Sequence, residues 1–462
     1  MKNIWIVLLI LCSSSYLAGQ NIHRTACNGN LARLDSMLAT TKIEVKDEQG
    51  RSLLHWAVAC KQKAVFDFLI GKGIKIDQTD RQGKTPLHIA VQFNNIEYVD
   101  YLIEIQIDHS WKKAYGASLL CLSVLNKNKV LTEKLISEGV DINGKNSRGS
   151  TALEIAKRIG AKDLEEYLLT HGANEKLVRK FNLEGKYMGQ NPPKASGEMF
   201  LPHFISTEEE EFGSVFNKSG TEFYYGVHLG RRNEIRYSKL AGGKWTQPIA
   251  ILSHERFSYN DPFLSNDENR LYFISQMALD GQGAVKDIDI WYVEKKGDGW
   301  SEPINAGPNI NTAGEEYYIS FTQEGTMYFS SDGHKRADTS RKDHDIYYAK
   351  FVDNEFQAAV LLDSAVNTPE YEADVFVAPD ESYLIFCSTR KGGFGGGDLY
   401  ISFKNEEGNW TQAVNMGKEV NTPNYEYCPF VSKDGKSLFY TSNQDIYWLS
   451  TDIIEELRQK SR

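Results

Sequence analysis

Apolar positions in the first 180 residues recur every 33 residues. Gly50, Gly83, Gly116 and Gly149 form one register, and Leu54, Leu87, Leu120 and Leu153 a second. A third is Leu69, Leu102, Leu135 and Leu168. Four hits on each of three registers mark an internal repeat, and a period of this length predicts a stack of small supersecondary units. Each unit reads as a glycine-bearing turn, a short helix and a second helix. In one copy the first helix is Thr85-Pro86-Leu87-His88-Ile89-Ala90, where Pro86 at the first helical position forfeits no hydrogen bond. Small residues Ala57, Ala90, Ser123 and Ala156 recur where neighbouring helices must approach. After Lys180 the period changes, and short alternating segments rich in aromatic residues predict strands.

The segment Thr85–Ala90 matches the TPLHxA signature, and the first half resembles the ankyrin repeat. The copy Ser52-Leu53-Leu54-His55-Trp56-Ala57 lacks the proline, and Cys121 and Glu154 replace the histidine. An earlier copy spans His23–Leu38, which gives five repeats over residues 20–175. The outer ones are irregular, as caps facing water are. The resemblance implies that His55 and His88 are structural hydrogen-bonding residues and not metal ligands. It also implies a protein partner, held by turn tips that differ between copies: Asp47–Ser52, Asp80–Thr85, Lys112–Ser118 and Asn146–Thr151. The candidate contact residues are Gln49, Arg51, Arg81, Gln82, Lys84, Tyr115, Ser147 and Arg148.

In the second half a turn precedes an apolar strand five times, at Gly220, Glu268, Gly325, Glu381 and Gly435. A second register also has five copies: Glu234-Ile235, Asp289-Ile290, Asp345-Ile346, Asp398-Leu399 and Asp445-Ile446. A third, Trp245, Trp300, Phe356 and Trp410, has four, at spacings of 55, 56 and 54. This pattern predicts a β-propeller. With Ala378-Pro379-Asp380-Glu381 and the Asp-Ile-Tyr strands it resembles the TolB-like repeat, which implies a role in protein assemblies at the bacterial envelope. The missing outer strand has a candidate in Met199–Ser206. Paired with Asp445–Ser450, it would close a ring of five blades, one fewer than the six of TolB-like propellers. The expected organisation is therefore a signal peptide over 1–19, ankyrin repeats over 20–175, a linker over 176–197, the propeller over 198–451 and a C-terminal helix over 452–462.

Composition and charge narrow the function. Apolar residues make up 41% and charged residues 25% of the 462, as in folded soluble proteins. Residues 20–180 carry 24 Lys/Arg against 19 Asp/Glu, and residues 181–462 carry 27 against 43. An acidic second half repels phosphate backbones and argues against nucleic-acid binding. Lys2 followed by the apolar run Ile4 to Leu11 reads as an export signal cleaved after Gly19, too short to span a bilayer. Export to the periplasm, outer envelope or medium follows, with no transmembrane span after removal. The remaining five cysteines, odd and scattered, do not read as a disulfide framework. Buried thiols are expected, with Cys387–Cys428 as the one alternative bridge.

Three features tempt a catalytic reading. The repeated NTxxxE segments at Asn311, Asn367 and Asn421, with Ser206-Thr207…Glu211 as a weaker copy, offer a ring of carboxylates. Recurring once per blade, they read as loop-fixing, as do Asp289, Asp345, Asp398 and Asp445. Residues 392–398, Gly-Gly-Phe-Gly-Gly-Gly-Asp, lack the Lys-Ser/Thr of a phosphate loop and read as a flexible connection. Asp261 and Asp374 break the repeat pattern. They are the candidates for a glycan-hydrolysing or carbohydrate-binding propeller, the alternative to a non-catalytic scaffold whose propeller mouth holds a second protein or a glycan. No cofactor is expected.

Overall fold

The computed structural model describes residues 22–462 except 107–108, 231, 298, 335–342, 354 and 461–462. The expected signal peptide lies outside the described residues. The chain divides into two compact units between Lys180 and Phe181.

The first unit is a stack of helix pairs. First helices are Ile22–Cys27, Leu53–Ala59, Pro86–Gln92, Gly116–Leu125 and Ala152–Arg158; second helices are Leu31–Leu38, Lys63–Gly71, Ile96–Ile105, Lys129–Ser137 and Lys162–Thr170. The three repeated leucine and glycine registers explain the packing: Leu54, Leu87, Leu120 and Leu153 are all buried, with Leu69, Leu102, Leu135 and Leu168 beneath them. Ala26, Ala57, Ala90 and Ala156 allow the helices to close up.

The two histidines act as caps. The Thr85 hydroxyl accepts from the His88 amide, and His88 Nδ1 accepts in return from the Thr85 amide at 3.1 Å. Ser52 and His55 repeat the arrangement, and His55 Nε2 continues to the Lys84 carbonyl at 3.0 Å. Each ring therefore stitches a helix start to its own turn or to the next tip. Burial drives the His88 pKa down to about 4 and also lowers that of His55.

One expectation about cysteine fails here. Cys27 and Cys60 form a disulfide. They are 33 residues apart, one repeat period, and both sit at the end of a first helix, so the stack brings equivalent positions together with Cα atoms 5.1 Å apart. Cys121, Cys387 and Cys428 are buried free thiols, and the Cys387–Cys428 bridge is not made.

The second unit is a five-bladed propeller of antiparallel sheets of four or five strands. The inner strands, nearest the axis, are Glu210–Phe216, Asn260–Leu264, Glu316–Phe321, Glu372–Val377 and Glu426–Val431, numbered here as blades 1 to 5. Blade 5 obtains its outer strand from the start of the domain, as expected, but from an earlier segment: Glu198 pairs with Trp448 and Met199 with Tyr447. Residues 200–206 then turn away, with Phe200 still donating to the Ile446 carbonyl. The turn residues Gly220, Glu268, Gly325, Glu381 and Gly435 all have left-handed φ, which explains why that register is mostly glycine.

The expected linker, 176–197, is not free. Arg179 pairs with Glu154 of the first unit at 2.7 Å. From Phe181 onward the segment lies on the propeller: Met188 is fully buried in its core, Trp245 Nε1 donates to the Gly185 carbonyl and Ser450 to that of Pro193. The apolar side chains Phe181, Leu183, Tyr187 and Met188 supply the reason. At the far end the helix is Asp452–Lys460, starting where expected. Among the described residues no helix is long and apolar enough to cross a membrane.

Closing a 33-residue loop is worth ~3–4 kcal/mol in chain entropy. Replacing Cys27 and Cys60 together by alanine is expected to lower the stability of the ankyrin half by about 2–4 kcal/mol in urea unfolding, and a non-reduced digest should contain the Cys27–Cys60 cross-linked peptide. His88 binds its proton less readily folded than unfolded. Its contribution is therefore complete above pH 6.5 and is lost as pH falls toward 4, at most roughly 3 kcal/mol. Thermal unfolding across that range should show a slope that shrinks in His88→Gln.

Candidate functional site

The tips of the ankyrin stack are built on one repeated side chain. Asp47 Oδ1 accepts from the amides of Gln49 and Arg51; Asp80 does so from Gln82 and Lys84, and Asn146 from Arg148 and Ser150. These three Asx residues lie in the 33-residue register, where the fourth copy is Lys113. Lysine cannot accept such bonds, and the third tip is accordingly lost: Ser110–Ala114 is a helix running almost directly into Gly116–Leu125. The expected tip Lys112–Ser118 is thus corrected.

The candidate contact residues divide accordingly. Gln49, Arg81, Gln82 and Ser147 stand exposed on hairpin tips, and the Arg81 amide donates to the Gln49 carbonyl, joining adjacent tips. Lys84 and Arg148 are half-buried. Arg51 is engaged internally: its guanidinium pairs with Asp47 at 2.8 Å and covers the Trp56 ring at 4.5 Å, while Trp56 Nε1 donates to the same carboxylate. Tyr115 packs on His88 and donates to Gln106 Oε1 at 2.8 Å, so it belongs to the framework.

In the propeller the NTxxxE segments are joints between blades. Asn311 accepts from the Ile290 amide and donates to its carbonyl, clamping the third strand of blade 2. Asn367 does the same to Ile346 of blade 3, and Asn421 to Leu399 of blade 4. Each following glutamate then receives the amide and hydroxyl of its threonine, at 3.1 and 2.7 Å for Glu316 and 2.7 and 2.6 Å for Glu372. A serine of the second strand donates to each as well: Ser331, Ser388 and Ser442. In the weaker copy Ser206 Oγ reaches the Ile446 carbonyl, which carries the same joint across the ring closure. The carboxylates are consumed by the fold. In the glycine-rich loop Asp398 accepts from the amides of Phe394 and Gly395.

Asp261 and Asp374 prove to occupy equivalent positions. Every inner strand carries a β-bulge, and the bulged residue has left-handed φ: Gly213, Asp261, Tyr318, Asp374 and Cys428, with φ between 44° and 55°. An extra residue in one strand re-aims its side chain, and here Asp261, Tyr318, Asp374 and Cys428 turn theirs toward the axis. The proof is that non-adjacent blades meet. Cys428 Sγ of blade 5 donates to Asp261 Oδ1 of blade 2 at 3.3 Å, and Tyr318 of blade 3 donates to the Pro429 carbonyl of blade 5. One oxygen of Asp261, one of Asp374 and Cys428 Sγ all lie within 4.8 Å of one another. The three residues are 7%, 8% and 1% exposed. Burial pushes the Asp261 carboxyl up to about 6; burial, then the charge of Asp261, pushes that of Asp374 well above the carboxylate range.

Asp261 and Asp374, offered by different blades, thus lie together and buried on the axis. The repeat Asp261-Pro262-Phe263 and Cys428-Pro429-Phe430 was the available sign that these positions correspond. Gly213, Tyr318 and Cys428 were missed because residues so unlike share no pattern of type.

The family model for ankyrin repeats matches residues 22–113 in three copies. Among solved structures, the human ASB11 ankyrin repeat domain aligns with 34% of this chain and 71% of its own at 23% identity, with a TM-score of 0.29. No curated protein matches. The first half is an ankyrin-repeat domain, a type of module that binds proteins, and the second is a five-bladed propeller.

A Cβ at Gly213 would lie 2.6 Å from Asp261 Oδ1, on backbone whose φ of 49° already disfavours a side chain. Gly213→Ala is expected to cost about 2 kcal/mol or more in the unfolding of the propeller half, measured by its thermal transition, whereas Gly408→Ala, where the turn faces open space, should cost less.

Proposed function

We propose that this chain is a non-catalytic scaffold of the TolB-like type, exported from the cell, whose ankyrin half grips a protein partner while the propeller presents a second binding face. The observation that carries the reading is the division of labour at the tips. Asp47, Asp80 and Asn146 hold the hairpins rigid, and Gln49, Arg81, Gln82 and Ser147 are left on the rims with side chains that differ from copy to copy. Rigid display of varied polar residues is what a specific, pre-organised interface requires. The Cys27–Cys60 disulfide supports export, because such bonds persist in oxidising compartments. The glutamates that repeat through the propeller are committed to its joints, in keeping with a binding role.

The test is affinity capture from cell envelopes with the full chain and with an Arg81→Glu/Gln82→Ala tip variant. A discrete partner whose binding weakens at least tenfold in the variant, about 1.4 kcal/mol, is the expected result. Equal capture by both proteins, or localisation of the chain in the cytosol by fractionation, would overturn the reading.

A further inference from the structure

The axis of the propeller treats its acids unlike the rest of the domain. Glu211, Glu316, Glu372 and Glu426 each receive at least an amide and a hydroxyl. Asp374, 8% exposed, accepts no hydrogen bond from any described residue. Asp261 receives a single weak donor, the Cys428 thiol. Neither carboxylate has a lysine or arginine partner among the described residues. Buried carboxylates left this bare are costly unless a cation joins them. The third group within reach is a thiol, so the set offers two carboxylate oxygens and one sulfur from blades 2, 4 and 5.

We propose that Asp261, Asp374 and Cys428 form a divalent metal site on the propeller axis, with zinc as its ion. The donor set decides the metal. Calcium and magnesium call for six or more oxygens and have no use for a thiolate. A mixed oxygen and sulfur set suits a borderline ion of low coordination number, and three protein ligands leave a fourth position for water. Zinc–oxygen bonds of about 2.0–2.2 Å and zinc–sulfur bonds of about 2.3 Å ask the three atoms, now within 4.8 Å of one another, to draw in by a small side-chain rotation. All three ligands sit on bulges, and the ion would tie blade 2 to blades 4 and 5 across the centre of the ring. Of the other bulge residues, the Tyr318 hydroxyl donates to the Pro429 carbonyl, and Gly213 contributes only the space Asp261 occupies.

The experiment uses the full chain, stripped with chelator and titrated with zinc by calorimetry and with cobalt by absorption. One equivalent of zinc should bind, and cobalt should give a thiolate charge-transfer band in a tetrahedral spectrum. Asp374→Asn should weaken zinc at least 100-fold, and Cys428→Ser should abolish the band, while Cys121→Ser leaves both unchanged. The proposal falls if the folded wild-type chain binds no stoichiometric zinc, or if Cys428→Ser and Asp374→Asn, shown folded by circular dichroism, bind as the wild type does. Should a variant fail to fold, the wild-type titration and cobalt spectrum decide alone.

Discussion

No single unit in either half of this chain can cover its own apolar face. A helix pair of the first half has Leu54 or its equivalents on one side and Leu69 or its equivalents on the other, and only the neighbouring pair removes them from water. A blade likewise has two apolar faces, each needing another blade. Stability is therefore a property of contacts between copies, and the ends of each array are where it must be secured by other means. The ankyrin stack uses a disulfide across its first two repeats. The propeller has no end: the pairs Glu198–Trp448 and Met199–Tyr447 make the first segment of the domain the last strand of its final blade.

Polar groups follow the same logic of joining copies. His55 reaches the tip of the next repeat, and where the histidine is replaced, Cys121 still reaches the Ser150 carbonyl and Glu154 still receives Arg179. The position has a task that different chemistries perform. In the propeller an asparagine holds the blade behind and a glutamate shapes the entry to the blade ahead. Glu268 and Glu381, placed in left-handed turns that glycine would occupy more easily, bridge neighbouring blades too: Glu268 accepts from the Lys218 amide and Glu381 from Tyr328. The strain of a side chain at such a turn is offset by a contact that glycine could not make.

Much of this was legible because repetition is itself the signal. Five blades follow from counting registers, and closure follows from the one register with a copy missing. Cys27 and Cys60 were also legible in principle, since their separation equals the period, but scattered cysteines are read by number and proximity before they are read by phase. The third tip shows the opposite limit. Gly116 keeps the register while Lys113 removes the acceptor that folds the hairpin, so a glycine in place is not evidence of the turn. The axis was only half visible. Asp261 and Asp374 stand out because they break a pattern, yet what they share is a backbone conformation, and φ leaves no mark in composition when Gly, Asp, Tyr, Asp and Cys all adopt it.

The ring closure has a consequence in time. A chain is made from its N-terminus, and the ankyrin half pairs only segments about one period apart, so each repeat finds its support as soon as the next has been made. Glu198 must wait for Trp448, some 250 residues later, and until then the outer strand of blade 5 has no strand to pair with and blade 1 no closed neighbour. Contacts so distant in sequence form slowly. Synthesis thus divides into a half that consolidates as it is made and a half that is finished all at once, when its last strand arrives.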